Sequence, residues 1–306
     1  KHLKMRKENK HILVPVDFNA PSLNALKYAY HFAKNLNGEL ILLSVIETPG
    51  LLAEFFSSGD SLVKLTSQYK EKLYEISEPY QEKGDVKIST RVERGKAYRK
   101  ILEVADEINA RLIILGENHQ KESPDQQLGS TVYHVTLKSP VPVLTLKGDA
   151  ERMNDKIVVP LDLTRQTRKQ LFSAMVYGLN YDAEIYLVSA LVGGIKMRDS
   201  RIHKKLAKAK QLLEENGVKT HVKLFERSET PPFRRVIEYA DEISAGMILL
   251  MTHQEGYTYD NYIGAFAHHI INKSKVPVLS LTSSATREDF EKIFKGFVDP
   301  VGMLTK

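Results

Sequence analysis

The stretch ILVPVDFNAPSLNALKYAYHFAKNLNGELILLSVI, residues 12–46, joins two apolar runs through a segment of different periodicity. The first run, His11–Val16, is short and continuous, as in a strand covered on both faces. Apolar residues then fall at Leu23, Leu26, Ala29, Tyr30, Ala33 and Leu36, one face of a helix over Pro21–Leu36. Asn37-Gly38, a pair that tolerates positive φ, ends that helix, and Leu40–Ile46 reads as a second strand.

The same text returns further along. Residues 157–191 read IVVPLDLTRQTRKQLFSAMVYGLNYDAEIYLVSAL and align without a gap at an offset of 145, pairing Pro15 with Pro160, Asp17 with Asp162 and Ser44 with Ser189. ILEVADEINARLIILG (Ile101–Gly116) matches VIEYADEISAGMILLM (Val236–Met251) at an offset of 135, and SPVPVLTL (Ser139–Leu146) matches SKVPVLSL (Ser274–Leu281) at the same offset. The first copy therefore carries the longer insertion. A period this long means a duplicated domain rather than a solenoid. The expected division is a basic tail over 1–10, one domain over 11–148, a second over 155–282, and an amphipathic helix over 283–306.

Between its first two strands and its end, the first copy continues to alternate. A polar helix is expected over Asp60–Lys83, a strand over Val86–Val92, a helix over Lys96–Asn109 and a strand over Leu112–Leu115. A helix over Gly129–Lys138 and a strand over Pro142–Leu146 complete it. The fold class is α/β, with a mostly parallel sheet and helices on both sides. Ligands in such folds bind beyond the carboxyl ends of strands, where strand order reverses. VPVL before the end of both last strands suits an edge that pairs rather than stays bare.

Composition narrows the function. The chain has 306 residues, 42% hydrophobic and 27% charged, the balance of a soluble globular protein, with no apolar run of membrane length. It has no cysteine, which excludes disulfides, thiol catalysis and cysteine-based zinc sites and suits the cytoplasm. Of the net charge of +6, residues 1–10 hold five Lys or Arg against one Glu. The remainder is nearly balanced and alternates in sign, so neither nucleic acid nor a membrane is an expected partner. KHLKMRKENK has no apolar segment behind it and does not read as a secretory signal.

Two places suit a ligand. Asp17 sits where the first strand stops; its carboxylate can accept from sugar hydroxyls or an adenine amino group, or it can form an Asx turn or helix cap ahead of Pro21. LGENHQKESPDQQLGST (Leu115–Thr131) carries Gly116 at the end of the fourth strand and Gly129-Ser130-Thr131 at the start of a helix. Free amides and the positive helix end make that point an anion site, and an ordinary capped helix after an ordinary loop fits the same spacing. His119, His134, His253, His268 and His269 lack metal-ligand spacing backed by carboxylates, so no metal site is expected, and no catalytic triad can be assembled. Phe55-Phe56 shields either a ligand or a core edge, and Phe290, Ile293, Phe294 and Phe297 mark an amphipathic C-terminal helix.

ILVPVDFNAPSLNALKYA, LILLSVI, RGKAYRKILEVA, LIILG, LGST and SPVPVLTL, in that order, resemble the universal stress protein family, and the repeat resembles its tandem form. The likeness covers roughly Lys10–Leu281. It implies two five-stranded parallel domains of the adenine nucleotide alpha hydrolase type, strand order 3-2-1-4-5, facing each other through their last strands. One chain then imitates a homodimer, and chains can dimerise further. It also implies binding of ATP or AMP, with or without magnesium. The strand-one segment Pro15, Val16 and Asp17 and the backbone of Val45 would meet adenine and ribose. The family pattern Gly-x2-Gly-x9-Gly-Ser/Thr falls on Leu115-Gly116, His119, Gly129 and Ser130, with Thr131 as a further phosphate donor. His119 departs from glycine; it either strains the loop by about 1 kcal/mol if φ is positive, or donates to phosphate. The second copy has Met251, Gln254, Gly264 and Ala265 at these positions and is expected not to hold ATP in the family's pose. Three readings stay open here: a nucleotide-binding stress protein with a structural second half, a slow ATP hydrolase, and a nucleotide-free interaction protein.

Overall fold

The computed structural model describes residues 10–47, 59–117, 128–148, 155–161, 167–190, 201–225, 229–252 and 263–282. The first repeat runs β1 (His11–Pro15), α1 (Ala20–Asn35), β2 (Glu39–Ile46), α2 (Gly59–Gln81), β3 (Ile88–Arg94), α3 (Ala97–Glu107), β4 (Leu112–Gly116), α4 (Ser130–Lys138) and β5 (Val143–Leu146). The second repeat runs β6 (Lys156–Pro160), α5 (Thr167–Tyr181), β7 (Glu184–Ala190), α6 (Arg201–Glu215), β8 (Thr220–Phe225), α7 (Pro232–Glu242), β9 (Met247–Met251), α8 (Ala265–Lys273) and β10 (Val278–Leu281). The C-terminal amphipathic helix, Phe55-Phe56 and most of the basic tail lie outside the described residues.

The strands form one sheet of order β3-β2-β1-β4-β5-β10-β9-β6-β7-β8. Every pairing is parallel except β5 with β10, where Leu144 faces Leu279. The two repeats thus share a single sheet instead of closing two. Strand pleat divides the core. Ile12 and Val14 of β1 point into one apolar layer with α1, and Leu13 points into the other with α3 and α4. Both layers run through both repeats, so α/β alternation has produced a three-layer body with two continuous cores.

Repeat mates meet where the halves join. Phe32 and Tyr177 approach to 6.4 Å between ring centroids on one side of the sheet, and Tyr133 and His268 to 6.4 Å on the other. β3 departs from expectation, starting at Ile88 rather than Val86 and ending at Arg94 rather than Val92. It is an edge strand whose bounds follow its register with β2, from Leu40↔Ile88 to Ile46↔Arg94, not its own apolar pattern. Among the described residues no helix is long and apolar enough to cross a membrane.

Candidate functional site

β1 lies between β2 and β4, and the helices after β1 and β4 cover opposite faces of the sheet, which opens a crevice at the carboxyl ends of these two strands. β1 is the shorter strand. Its ladder with β2 ends at Pro15↔Leu43, after which Val16 N–H donates to Leu43 O at 2.8 Å and Ser44 Oγ donates to Val16 O at 2.8 Å. Backbone direction repeats every two residues, so Val45 N–H and C=O turn the same way as Leu43 O and point beyond the end of β1. Val16 and Leu115 are buried in the floor of this region, and Pro15 is half-buried.

Asp17 is exposed just past β1. Its Oδ1 accepts from Asn19 N–H and its Oδ2 from Asn19 Nδ2, both at 3.1 Å, while its own N–H donates to Ser22 Oγ at 3.3 Å. This is an Asx turn, and Phe18 inside it takes φ 67°. Asn19, not Asp17, is the N-cap of α1. Each Asp17 oxygen makes one of these bonds, which leaves it capacity to accept another.

The two glycines of the first repeat differ in kind. A Cβ on Gly116 would stand 2.0 Å from Pro21 O, so this position is glycine because the first turn of α1 rests on the end of β4. Around a Cβ on Gly129 no described residue lies within 4 Å. Gly129 has φ −53° and ψ 139°, which any residue adopts, so neither conformation nor packing within the described residues demands glycine there. No described side chain caps α4, and Ser130 is exposed. Among the described residues nothing caps this helix start, and its free amides are of the kind that can accept an anion.

Behind this opening sits a charge pair that sequence reading missed. Glu117 Oε1 accepts from Gly129 N–H at 3.4 Å, and Glu117 Oε2 lies 3.3 Å from Lys147 Nζ. Both side chains are buried. Lys147 Nζ also donates to Asn272 O, in the last turn of α8. Burial pushes the Lys147 ammonium below its usual range, opposed by the Glu117 charge.

In the second repeat the equivalent crevice is filled. Gln170, which aligns with Ala25, is buried and donates from Nε2 to Pro160 O at 2.9 Å and Leu249 O at 3.1 Å, bridging β6 and β9 with a tie that alanine cannot make between β1 and β4. Met251 occupies the position of Gly116. At the start of α8, Gly264 N–H donates to Thr252 O at 3.0 Å, a backbone closure in place of the Glu117 side-chain contact. The ungapped alignment carried the Gln170 signal as a small residue replaced by a long amide. His119, Asp162 and Gln254 lie outside the described residues.

The histidines pack. His134 stacks on Tyr98 at 4.4 Å, and its repeat mate His269 stacks on Phe233 at 4.4 Å. Burial, then His269 and Lys147, pushes His268 below the usual histidine range. Among the described residues no group of three His, Asp or Glu gathers around a point that could hold a metal ion.

A model of the universal stress protein family matches residues 8–147 and 153–281. Two universal stress proteins of Methanocaldococcus jannaschii, MJ0531 and MJ0577, are 28% and 27% identical over 141 and 154 residues; each alignment covers 45% of this chain and 82% or 94% of the relative. Each relative thus has the size of one repeat. A universal stress protein structure from Archaeoglobus fulgidus superposes with a TM-score of 0.74 at 22% identity, covering 90% of this chain and 98% of the other. A putative universal stress protein from Pseudomonas aeruginosa superposes with a TM-score of 0.63 at 16% identity, covering 90% and 93%. Both likenesses are in fold.

Proposed function

This chain belongs to the universal stress protein family, and we propose that its first repeat binds one adenine nucleotide, ATP or AMP, while its second repeat is structural. The observation that carries this is that no described residue fills the space at Gly129 or caps the helix start behind it, set against the Gln170 bridge of the second repeat. Adenine and ribose would lie over Pro15, Val16 and Leu115, with Val45 backbone and the Asp17 carboxylate as polar partners. The phosphates would take the amides and hydroxyls of Ser130 and Thr131. Gly116 contributes by letting α1 close tightly on β4, which sets the crevice wall; His119 belongs to the proposed set by its place in the sequence pattern.

Binding is the whole of the proposed chemistry. Glu117, the carboxylate beside the helix start, is engaged by Lys147, and among the described residues no carboxylate cluster offers magnesium a built cage. A cytoplasmic location belongs to the same proposal and agrees with a cysteine-free chain.

The test is to denature purified protein and chromatograph what is released, with calorimetric titration of ATP and AMP on the nucleotide-free form. Adenine nucleotide at up to one equivalent, or heat saturating at one site per chain, is expected. Neither release nor heat at millimolar nucleotide overturns the proposal.

A further inference from the structure

We propose, resting on the nucleotide reading above, that the buried Glu117–Lys147 pair sets how strongly the first repeat holds a phosphate chain, with Lys147 as the residue that keeps the site open to anions. Glu117 places a carboxylate oxygen 3.4 Å from Gly129 N, at the helix end a phosphate would occupy. Alone, that carboxylate would repel the ligand and claim the helix end for itself. Lys147, 3.3 Å away, cancels it. With side chains only 8% and 4% exposed, the two charges are poorly screened by salt, so the balance between them reaches the incoming phosphate.

The pair belongs to one repeat. Thr252 and Thr282 stand where Glu117 and Lys147 do, and they make neutral bonds, Thr252 Oγ1 to Leu281 O at 3.2 Å and Thr282 Oγ1 to Ser139 O at 3.0 Å. Among the described residues at these paired positions, charge is present only beside the start of α4. Lys147 also reaches across the β5–β10 seam to Asn272 O, at a helix C-terminus that favours cations. The second repeat, with its own crevice filled, thereby helps hold the cation that serves the first.

The consequence depends on ligand charge, which a purely structural role would not produce. The test titrates the full chain with inorganic tripolyphosphate, ATP and adenosine, as wild type, Glu117→Gln, Lys147→Met and the double variant, with circular dichroism to check folding. Glu117→Gln should tighten tripolyphosphate and ATP about thirty-fold, Lys147→Met should weaken both about thirty-fold, and the double variant should return near wild type, for unit charges at roughly 8 Å in a protein-like dielectric. Adenosine affinity should stay unchanged throughout. If Glu117→Gln does not fold alone, the double variant must still bind tripolyphosphate more tightly than Lys147→Met. Because tripolyphosphate lacks adenine, this order can hold even if no adenine nucleotide binds, in which case the nucleotide proposal fails and this one stands. Equal tripolyphosphate affinity across the series, including none at all, or weaker binding by Glu117→Gln, overturns it.

Discussion

The carbonyl oxygen of Pro21 lies 2.0 Å from where a Cβ on Gly116 would stand, with Ser22 N at 2.8 Å. Backbone, not a flexible side chain, fills that space, so Gly116→Ala must lift the start of α1 off β4. Overpacking of this kind costs about 1–3 kcal/mol. A lowered urea midpoint is the expected result; an unchanged midpoint would mean that α1 can shift freely.

Gly129→Ala should behave in the opposite way. With no described residue within 4 Å of the added methyl and an ordinary φ, folding stability should change by no more than about 1 kcal/mol at this N-cap. The methyl would enter the space proposed for phosphate, so ATP should bind about ten-fold more weakly, a loss of about 1.4 kcal/mol. Calorimetry and urea unfolding on the same preparation separate the two effects.

Gln170→Leu tests the filled crevice of the second repeat. Losing the amide leaves Pro160 O and Leu249 O without this partner in a buried place, which costs about 1–3 kcal/mol. Unfolding should shift accordingly while nucleotide stoichiometry stays the same, because Met251 remains where the first repeat has Gly116.

Glu184 gives a pH signature. The Lys219 ammonium bonds to its carboxylate, with Tyr186 and His221 adding hydrogen bonds at 3.0 and 2.9 Å, and together they hold the carboxyl at about 2. The unfolded chain protonates this group near the ordinary value of about 4.3, so it binds more protons than the native state at acid pH. The stabilisation is therefore present above about 4.3 and lost as pH falls towards 2. Glu184→Gln should lower Tm at neutral pH, with the gap to wild type closing over that window. A gap that does not vary with pH would contradict the assignment.

Much of the architecture was legible because the chain states it twice. The change from a continuous apolar run to helical spacing fixed β1, α1 and β2, and the 145- and 135-residue offsets revealed the second repeat. VPVL in both last strands pointed to an edge that pairs, and β5 and β10 do pair. β3 was misplaced by two residues at each end because an edge strand with polar residues carries little periodicity; Val86 is buried yet lies outside the strand.

The site was less legible. Gly116 and Gly129 look alike in sequence, and only three dimensions separate a glycine needed for α1 from one that no described residue crowds. Glu117 and Lys147 come from the ends of different strands, 30 residues apart, so no local pattern announces the pair. Asp17 was read as either a ligand group or a turn former, and its bonds to Asn19 make it at least the latter.

The most direct measurement is calorimetric titration of ATP into nucleotide-free chain, wild type beside Gly129→Val and Gly264→Val. One site per chain is expected, abolished or severely weakened by Gly129→Val and left intact by Gly264→Val. Two sites per chain, or a single site lost with Gly264→Val and kept with Gly129→Val, would contradict the assignment of nucleotide binding to the first repeat.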